Sequence, residues 1–126
     1  MKYRRHQSTI ELKKHLNIPL KILFVEDDEI TRKVGTKLVN SLGHNIITSS
    51  NSFEAIGQVV CGEYDAVVID YNLGADSPNG IELGKILSEK GHKGSTMIVS
   101  CKSSVSDFIL DKPNSEESWT QLISNI

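Results

Sequence analysis

The sequence has few of the features that mark membrane, secreted or nucleic-acid-binding proteins. Its uninterrupted aliphatic or aromatic runs span about four residues at most, whereas a transmembrane helix needs about 20. The N-terminus is rich in Lys and Arg, but no apolar segment follows it as in a secretory signal. The net charge is only −2, from 14 basic and 16 acidic residues, which disfavours nucleic acid or an anionic membrane as a direct partner. We therefore expect a cytoplasmic protein.

Cysteine is also scarce, and the positions of the two cysteines do not indicate a disulfide or a metal site. Cys61 and Cys101 show neither a CxxC pattern nor a Cys/His pattern, so we expect two free, partly buried thiols. A chain of 126 residues suits one domain. Such a domain buries roughly two thirds of its unfolded surface and folds without a disulfide or a structural metal.

Short apolar runs alternate with helical patterns along most of the chain. Such alternation predicts βαβ crossovers, and therefore an α/β fold with a doubly wound, five-stranded parallel sheet. The third run has no polar alternation, which is typical of a strand that is covered on both faces. The predicted strands are Lys21–Val25, Asn45–Ser49, Ala66–Asp70, Met97–Ser100 and Phe108–Leu110.

Apolar residues at helical spacing predict the inward faces of the helices. These faces consist of Ile30, Val34, Leu38 and Leu42; Phe53, Ile56, Val59 and Val60; a helix over Ile81–Lys90; and Trp119, Leu122, Ile123 and Ile126. Only seven residues separate Ser100 from Phe108, whereas a full crossover takes about 10 to 12. The fourth crossover helix is therefore expected to be shortened or absent, unless the fifth strand is misplaced.

Residues 1–19 precede the first strand as an N-terminal extension, and residues 20–126 are expected to form the domain. Thr9–Leu16 predicts either a short helix, with Ile10 and Leu12 among its apolar positions, or a loosely ordered tail.

Polar residues stand at the C-terminal ends of four predicted strands. Glu26–Glu29 follow the first strand, Asp70 closes the third, Ser100 ends the fourth, and Lys112 follows the fifth. Ligands of open parallel sheets bind at this edge. Clustered carboxylates repel one another unless a cation lies among them, and Mg²⁺ prefers such oxygen ligands. An acidic run can also be the solvated first turn of a helix, but the four positions together predict a site.

These residues, in this order, resemble the receiver domain of two-component response regulators, and the resemblance covers Leu20–Ile126. It implies a flavodoxin-like (βα)₅ fold with strand order 2-1-3-4-5. The matching segments are Ile22–Asp28 with Arg32, Val68–Leu73, Asn79–Leu83, Ile98–Ser100 and Lys112–Pro113.

The resemblance implies a role in phosphorelay signalling. Asp70 would be the phosphoacceptor, Ser100 would bond the phosphoryl group, and Lys112 would pair with the phosphate. The Lys112–Pro113 peptide bond would be a candidate for the cis form, which is frequent there in the family. A histidine kinase or a histidine phosphotransfer protein would be the donor. The chain would be no enzyme beyond catalysing its own phosphorylation and dephosphorylation.

The same resemblance implies a Mg²⁺ site and no other cofactor. Asp27 would be the more direct metal ligand, and Glu26 would act through water. Asp70 would share the ion, and Asn72 would offer its backbone carbonyl.

Several residues depart from the family pattern on the output side. Gly74 stands where the family has proline, the Asp70–Gly80 loop is longer, and Cys101 replaces a smaller residue. Ile109 occupies the position of the family's switch aromatic. We therefore expect a remodelled output. A downstream protein, a second copy or the N-terminal segment is expected to contact the face of strand four, strand five and the last helix, at Ile109 or Trp119.

Other functions explain fewer of these residues. A phosphorylation-independent interaction module is the main alternative. A haloacid-dehalogenase-like phosphatase would need a second Asp where Asn72 stands, and a flavodoxin would need a neutral first loop. The chain is either stand-alone or a fragment of a hybrid kinase or multidomain regulator.

Overall fold

The sheet has five parallel strands, which lie side by side in the order second, first, third, fourth and fifth along the chain and confirm the predicted fold class. This computed structural model describes residues 2–101 and 109–126, with side chains from Thr9 onward. The elements are α1 (Lys2–His15), β1 (Lys21–Val25), α2 (Glu29–Ser41), β2 (Asn45–Ser49), α3 (Ser52–Cys61), β3 (Ala66–Asp70), α4 (Gly80–Glu89), β4 (Ser95–Ser100), β5 (Ile109–Asp111) and α5 (Glu116–Ser124).

Two hydrophobic cores cover the two faces of the sheet. Alternate residues of β1 enter opposite cores: Leu23 packs with the α3 and α4 side, and Phe24 packs with the α2 and α5 side. The Phe24 ring meets Trp119 edge to face, with centroids 5.2 Å apart. Helices cover both faces of the sheet, so only the two ends of the strands are left uncovered. The predicted site lies at the C-terminal ends.

Each helix that follows a strand at this edge begins at a capping side chain. Asp28, Asn51, Asn79 and Ser115 accept a hydrogen bond from the backbone N–H three residues later. A cap of this kind satisfies an otherwise unpaired donor of the first helical turn. The caps therefore fix where α2, α3, α4 and α5 begin at the edge that carries the site.

The N-terminal extension forms a docked helix. α1 is longer than the predicted Thr9–Leu16 segment, and its Ile10 is only 3% exposed in the core that also contains Leu20. Lys13 Nζ donates to both carboxylate oxygens of the buried Asp65, at 3.0 Å each. The alternative of a loose tail is therefore wrong for the part of the extension whose side chains are described.

The predicted inward face of α2 is wrong in its first half. Gly35 and Val39 are the buried residues, whereas Ile30 is 72% exposed. A Cβ at Gly35 would lie 3.0 Å from the Phe24 ring and 3.3 Å from Trp119. The helix therefore approaches the sheet most closely where its side chain is absent, and the larger aliphatic residues are rotated outward.

The predicted inward face of α3 is wrong at both ends. Ala55 and Val59 are buried, while Phe53 and Val60 are 85% and 63% exposed. The apolar pattern covers more than one side of this helix, so periodicity alone could not choose the buried side.

Several further expectations concern the last third of the chain. Residues 102–108 lie outside the described residues, and with them the shortened fourth crossover helix and the place of Phe108. Ile109 and Trp119 are buried in the two cores, so the expectation that these two residues are exposed for docking is wrong. A partner contact elsewhere on the face of β4, β5 and α5 stays a prediction. Both cysteines are exposed rather than partly buried. Within the described part of the chain, no helix has the length and apolar character needed to span a bilayer.

Candidate functional site

Three of the predicted site residues meet through their charged groups. Lys112 Nζ lies 2.7 Å from Glu26 Oε1 and 3.1 Å from Asp70 Oδ2. Glu26, Asp27 and Asp70 each present a carboxylate oxygen, and these oxygens lie within 4.8 Å of one another. The topology thus brings the ends of β1 and β3 and the residue after β5 to one point.

The four acids after β1 have different environments. Glu26 is fully buried, and Asp27 is exposed beside it. Arg32 Nη1 donates to the backbone carbonyls of Glu26 and Asp27, at 2.8 and 2.9 Å, and so fixes the turn between β1 and α2. Asp28 caps α2, and Glu29 forms an exposed pair on that helix. Only the first two acids therefore belong to the site.

The position of Asp70 depends on Gly80, which sequence reasoning did not single out as a site residue. A Cβ at Gly80 would lie 2.9 Å from the Asp70 carbonyl oxygen and from Tyr71 Cα. The Gly80 N–H donates to the Tyr71 carbonyl at 2.8 Å, and the Tyr71 N–H donates to Val99 of β4. The start of α4 therefore packs directly on the backbone of Asp70. The Asn79–Gly80 pair before a helical pattern was the available signal.

Two further predicted residues lie beside Asp70. The Asn72 N–H donates to Asp70 Oδ1 at 3.3 Å, while the Asn72 side chain is exposed. Buried Ser100 is paired with Asp111 in the sheet, and its carbonyl accepts the Lys112 N–H at 2.9 Å. The metal role of the Asn72 carbonyl and the phosphoryl role of the Ser100 hydroxyl stay predictions.

The Lys112–Pro113 peptide bond is trans, so the cis expectation is wrong. A trans bond is the ordinary state before proline. A cavity of about 830 Å³ lies beside the site between α2 and α5. Lys112 and Pro113 line it, whereas Asp70 does not.

Burial and charge set the ionisation of the cluster. Burial raises the pKa of Glu26 to about 7, although the nearby Lys112 lowers it; the charge of Asp70 raises it further. Burial alone would lower the pKa of Lys112, but the negative charges of Glu26 and Asp70 beside the ammonium more than offset this and raise the pKa above its ordinary value. The ammonium is therefore a permanent charge in the site.

The donor set fits Mg²⁺. All the converging groups are carboxylates, and Asp27 is exposed, which suits an ion that keeps several of its waters. Although Lys112 Nζ is at ion-pair distance from Glu26 Oε1, no donor among the described residues reaches this buried oxygen with hydrogen-bond geometry. A buried carboxylate oxygen without a hydrogen bond would be stabilised by a further cationic partner.

Solved receiver-domain structures share this fold. A CheY-like receiver domain from Methylobacillus flagellatus is 23% identical, with a TM-score of 0.74 over 85% of this chain and 98% of its own. The chemotaxis protein CheY4 of Vibrio cholerae is 17% identical, with a TM-score of 0.76 over 86% and 98%. The response regulator TrrA of Thermotoga maritima, solved with Mg²⁺-BeF, is 19% identical, with a TM-score of 0.70 over 84% and 97%.

No curated protein matches the chain. The profile of the response regulator receiver domain, however, matches residues 22–112, from β1 to the lysine of the site. The match spans well over half of the sequence and contains both carboxylate-bearing strands. The chain therefore belongs to the response regulator receiver domain family.

Proposed function

We propose that the chain is a phosphoacceptor of two-component signalling in the cytoplasm. Asp70 accepts a phosphoryl group from the phosphohistidine of a histidine kinase or histidine phosphotransfer protein. The observation that carries this proposal is the position of the Asp70 carboxylate, 3.1 Å from the Lys112 ammonium and within 4.8 Å of the Glu26 and Asp27 oxygens.

Phosphoryl transfer needs one nucleophile and positive groups that neutralise the negative charge of the phosphoryl oxygens. A carboxylate oxygen of Asp70 attacks phosphorus, the P–N bond breaks, and its electron pair returns to the imidazole nitrogen. The products are an aspartyl phosphate and a free histidine. Hydrolysis of the acyl phosphate later restores the carboxylate and releases inorganic phosphate, so the chain promotes only its own phosphorylation and dephosphorylation.

The chain's own residues supply position and charge. The Gly80 contact and the sheet register hold the Asp70 backbone, while Lys112 places its ammonium beside the carboxylate that gains the phosphoryl group. Mg²⁺ would be held by Glu26, Asp27, Asp70 and the Asn72 carbonyl, and when bound it would neutralise phosphoryl charge. Ser100, at the end of β4, would donate to a phosphoryl oxygen.

Intact-mass analysis after incubation with acetyl phosphate tests the proposal. We expect the mass of one phosphoryl group to be gained with Mg²⁺, and no gain with a chelator present or in Asp70→Asn. Asp76→Asn is the matched control, because Asp76 is exposed in the same loop and outside the carboxylate cluster. A gain that persists in Asp70→Asn would contradict the proposal. Absence of a gain in the parent chain would favour the phosphorylation-independent module.

A further inference from the structure

The outer face of α3 is unusually apolar for a surface helix. Phe53 and Val60 are the most exposed apolar residues on it, and Gly57 and Cys61 are exposed between and beside them. Glu54 is the single charged residue of α3, whereas α2 has four and α4 has three. Ala55 and Val59 already fill the contact with the sheet. A helix that is apolar on both sides is typical of one that is covered on both sides.

Gly57 indicates that the covering group approaches closely. Glycine inside a helix is unfavourable relative to alanine. A Cβ at Gly57 would meet nothing within 4 Å, so packing within the chain does not require glycine here. Gly84 of α4 differs, because a Cβ there would lie 3.2 Å from the Thr96 side chain. The missing side chain at Gly57 therefore leaves room for something outside the chain.

We propose that a second copy of this chain covers the outer face of α3. The two α3 helices would cross antiparallel at a two-fold axis next to Gly57, which lets the backbones approach. Phe53 lies about one turn before Gly57, and Val60 and Cys61 lie about one turn after it. Phe53 of each copy would then pack on Val60 and Cys61 of the other. The protruding Phe53 and the surface that would receive it, at Val60 and Cys61, lie on the same helix, as a self-complementary two-fold interface requires.

The charges around α3 favour the same antiparallel arrangement. A cavity of about 350 Å³ opens at the C-terminal end of the helix. Its lining includes Val60, Cys61, Glu63, Lys90 and Lys93. In the antiparallel pair this cavity would receive Phe53 of the second copy. The neighbouring Glu54 would approach Lys90 and Lys93, which outnumber the single acid in the lining. The opposed helix dipoles add to this complementarity.

Sedimentation equilibrium tests the proposed dimer without reference to phosphorylation. We expect a species of twice the 13.9 kDa chain mass. Phe53→Ser and Gly57→Gln should each weaken the dimer about tenfold or more. Gly57→Gln should also raise the melting temperature of the monomer, because it removes a helical glycine, so loss of the dimer is not loss of the fold. Ile30→Ser is the matched control, since Ile30 is equally apolar and exposed but lies on the opposite side of the sheet.

Cross-linking tests the crossing point itself. In a Cys61→Ser, Cys101→Ser background, Gly57→Cys should form a disulfide-linked dimer on mild oxidation, whereas Lys85→Cys on the exposed side of α4 should not. A parent chain that stays monomeric at every accessible concentration would overturn the proposal. So would a dimer that Ile30→Ser dissociates and Phe53→Ser does not, or equal cross-linking at both positions.

Discussion

Glu26 is the residue whose surroundings least suit its charge. Its side chain is fully buried, and the neighbouring Asp70 carries the same charge, while Lys112 offsets only part of the cost. The pKa of Glu26 therefore rises from 4.5 to about 7, so the folded protein holds the Glu26 proton more tightly than the unfolded chain does. A position that destabilises the metal-free fold at neutral pH fits a residue kept for its charge in the site.

The pH dependence of stability should report the cost of burying the charged Glu26 carboxylate. Between about pH 4.5 and 7 the unfolded chain releases a proton that the folded chain retains, so the Glu26 contribution to the free energy of unfolding falls as pH rises. In chelator at pH 8, Glu26→Gln should therefore be more stable than the parent by about 1 to 3 kcal/mol. Urea unfolding across this pH range measures the difference between the two proteins.

The difference between the two proteins makes that measurement specific. His44 has a pKa that burial lowers, so its contribution to stability rises with pH up to about 6.5; it acts equally in both proteins and cancels in the difference. Parallel curves for Glu26→Gln and the parent would mean that Glu26 is not destabilising when charged.

The convergence of the charged side chains was accessible from sequence, but their environments were not. Asp70 and Lys112 were predictable because parallel strands bring their C-terminal ends to one edge. Nothing in the acidic run distinguishes buried Glu26 from the helix cap Asp28, because that depends on how the β1–α2 turn is held. The contact of Gly80 with the Asp70 backbone likewise exists only once α4 is packed.

At the scale of elements, α1 is part of the folded unit rather than a linker. Its Ile10 is in the core, and Lys14 Nζ donates to the carbonyls of Ser124 and Ile126, so the helix joins the two ends of the chain. The helix ends before Asn17, which adopts a left-handed φ of 57° that asparagine tolerates well. Where the domain begins along the sequence stays a prediction. If α1 belongs to the domain, removing these contacts should lower the free energy of unfolding.

Two aliphatic residues of α1 provide that test. Ile10→Ala should lower the free energy of unfolding by about 2 to 4 kcal/mol, because it empties a buried position. Leu12→Ala, at a position that is 56% exposed on the same helix, should change it by no more than about 0.5 kcal/mol. Urea denaturation of both variants gives the comparison. Equal and small effects would mean that α1 is not docked.

The sequence predicted the helices and strands better than it predicted which side of each helix is buried. The strands and their order follow from apolar runs and from the handedness of crossovers, which depend little on side-chain detail. The buried side of α2 is set instead by Gly35, which no hydrophobic pattern contains. The exposed Phe53 of α3 breaks the pattern for the opposite reason, because an apolar residue can face a partner as well as a core.

At the scale of the whole molecule, Mg²⁺ binding at the proposed site would be coupled to folding. A Mg²⁺ ion held by the side chains that follow β1 and end β3 would bind only the folded chain. It should therefore raise the free energy of unfolding by about 1 to 3 kcal/mol at saturating concentration, a shift of several degrees. The ion would compete with the proton on Glu26, so the shift should grow from pH 5 to pH 8 as that carboxyl ionises.

Thermal unfolding with and without Mg²⁺ at both pH values measures this coupling, and two neighbouring acids localise it. Asp27→Asn should abolish most of the shift, because Asp27 belongs to the carboxylate cluster. Glu29→Gln should keep the shift, because Glu29 only pairs with Lys33 on the surface of α2. If both variants kept the shift, the ion would be bound elsewhere on the molecule. A shift that declined as pH rose would show that Glu26 does not compete with the metal, and that the raised pKa of this residue has no part in the site.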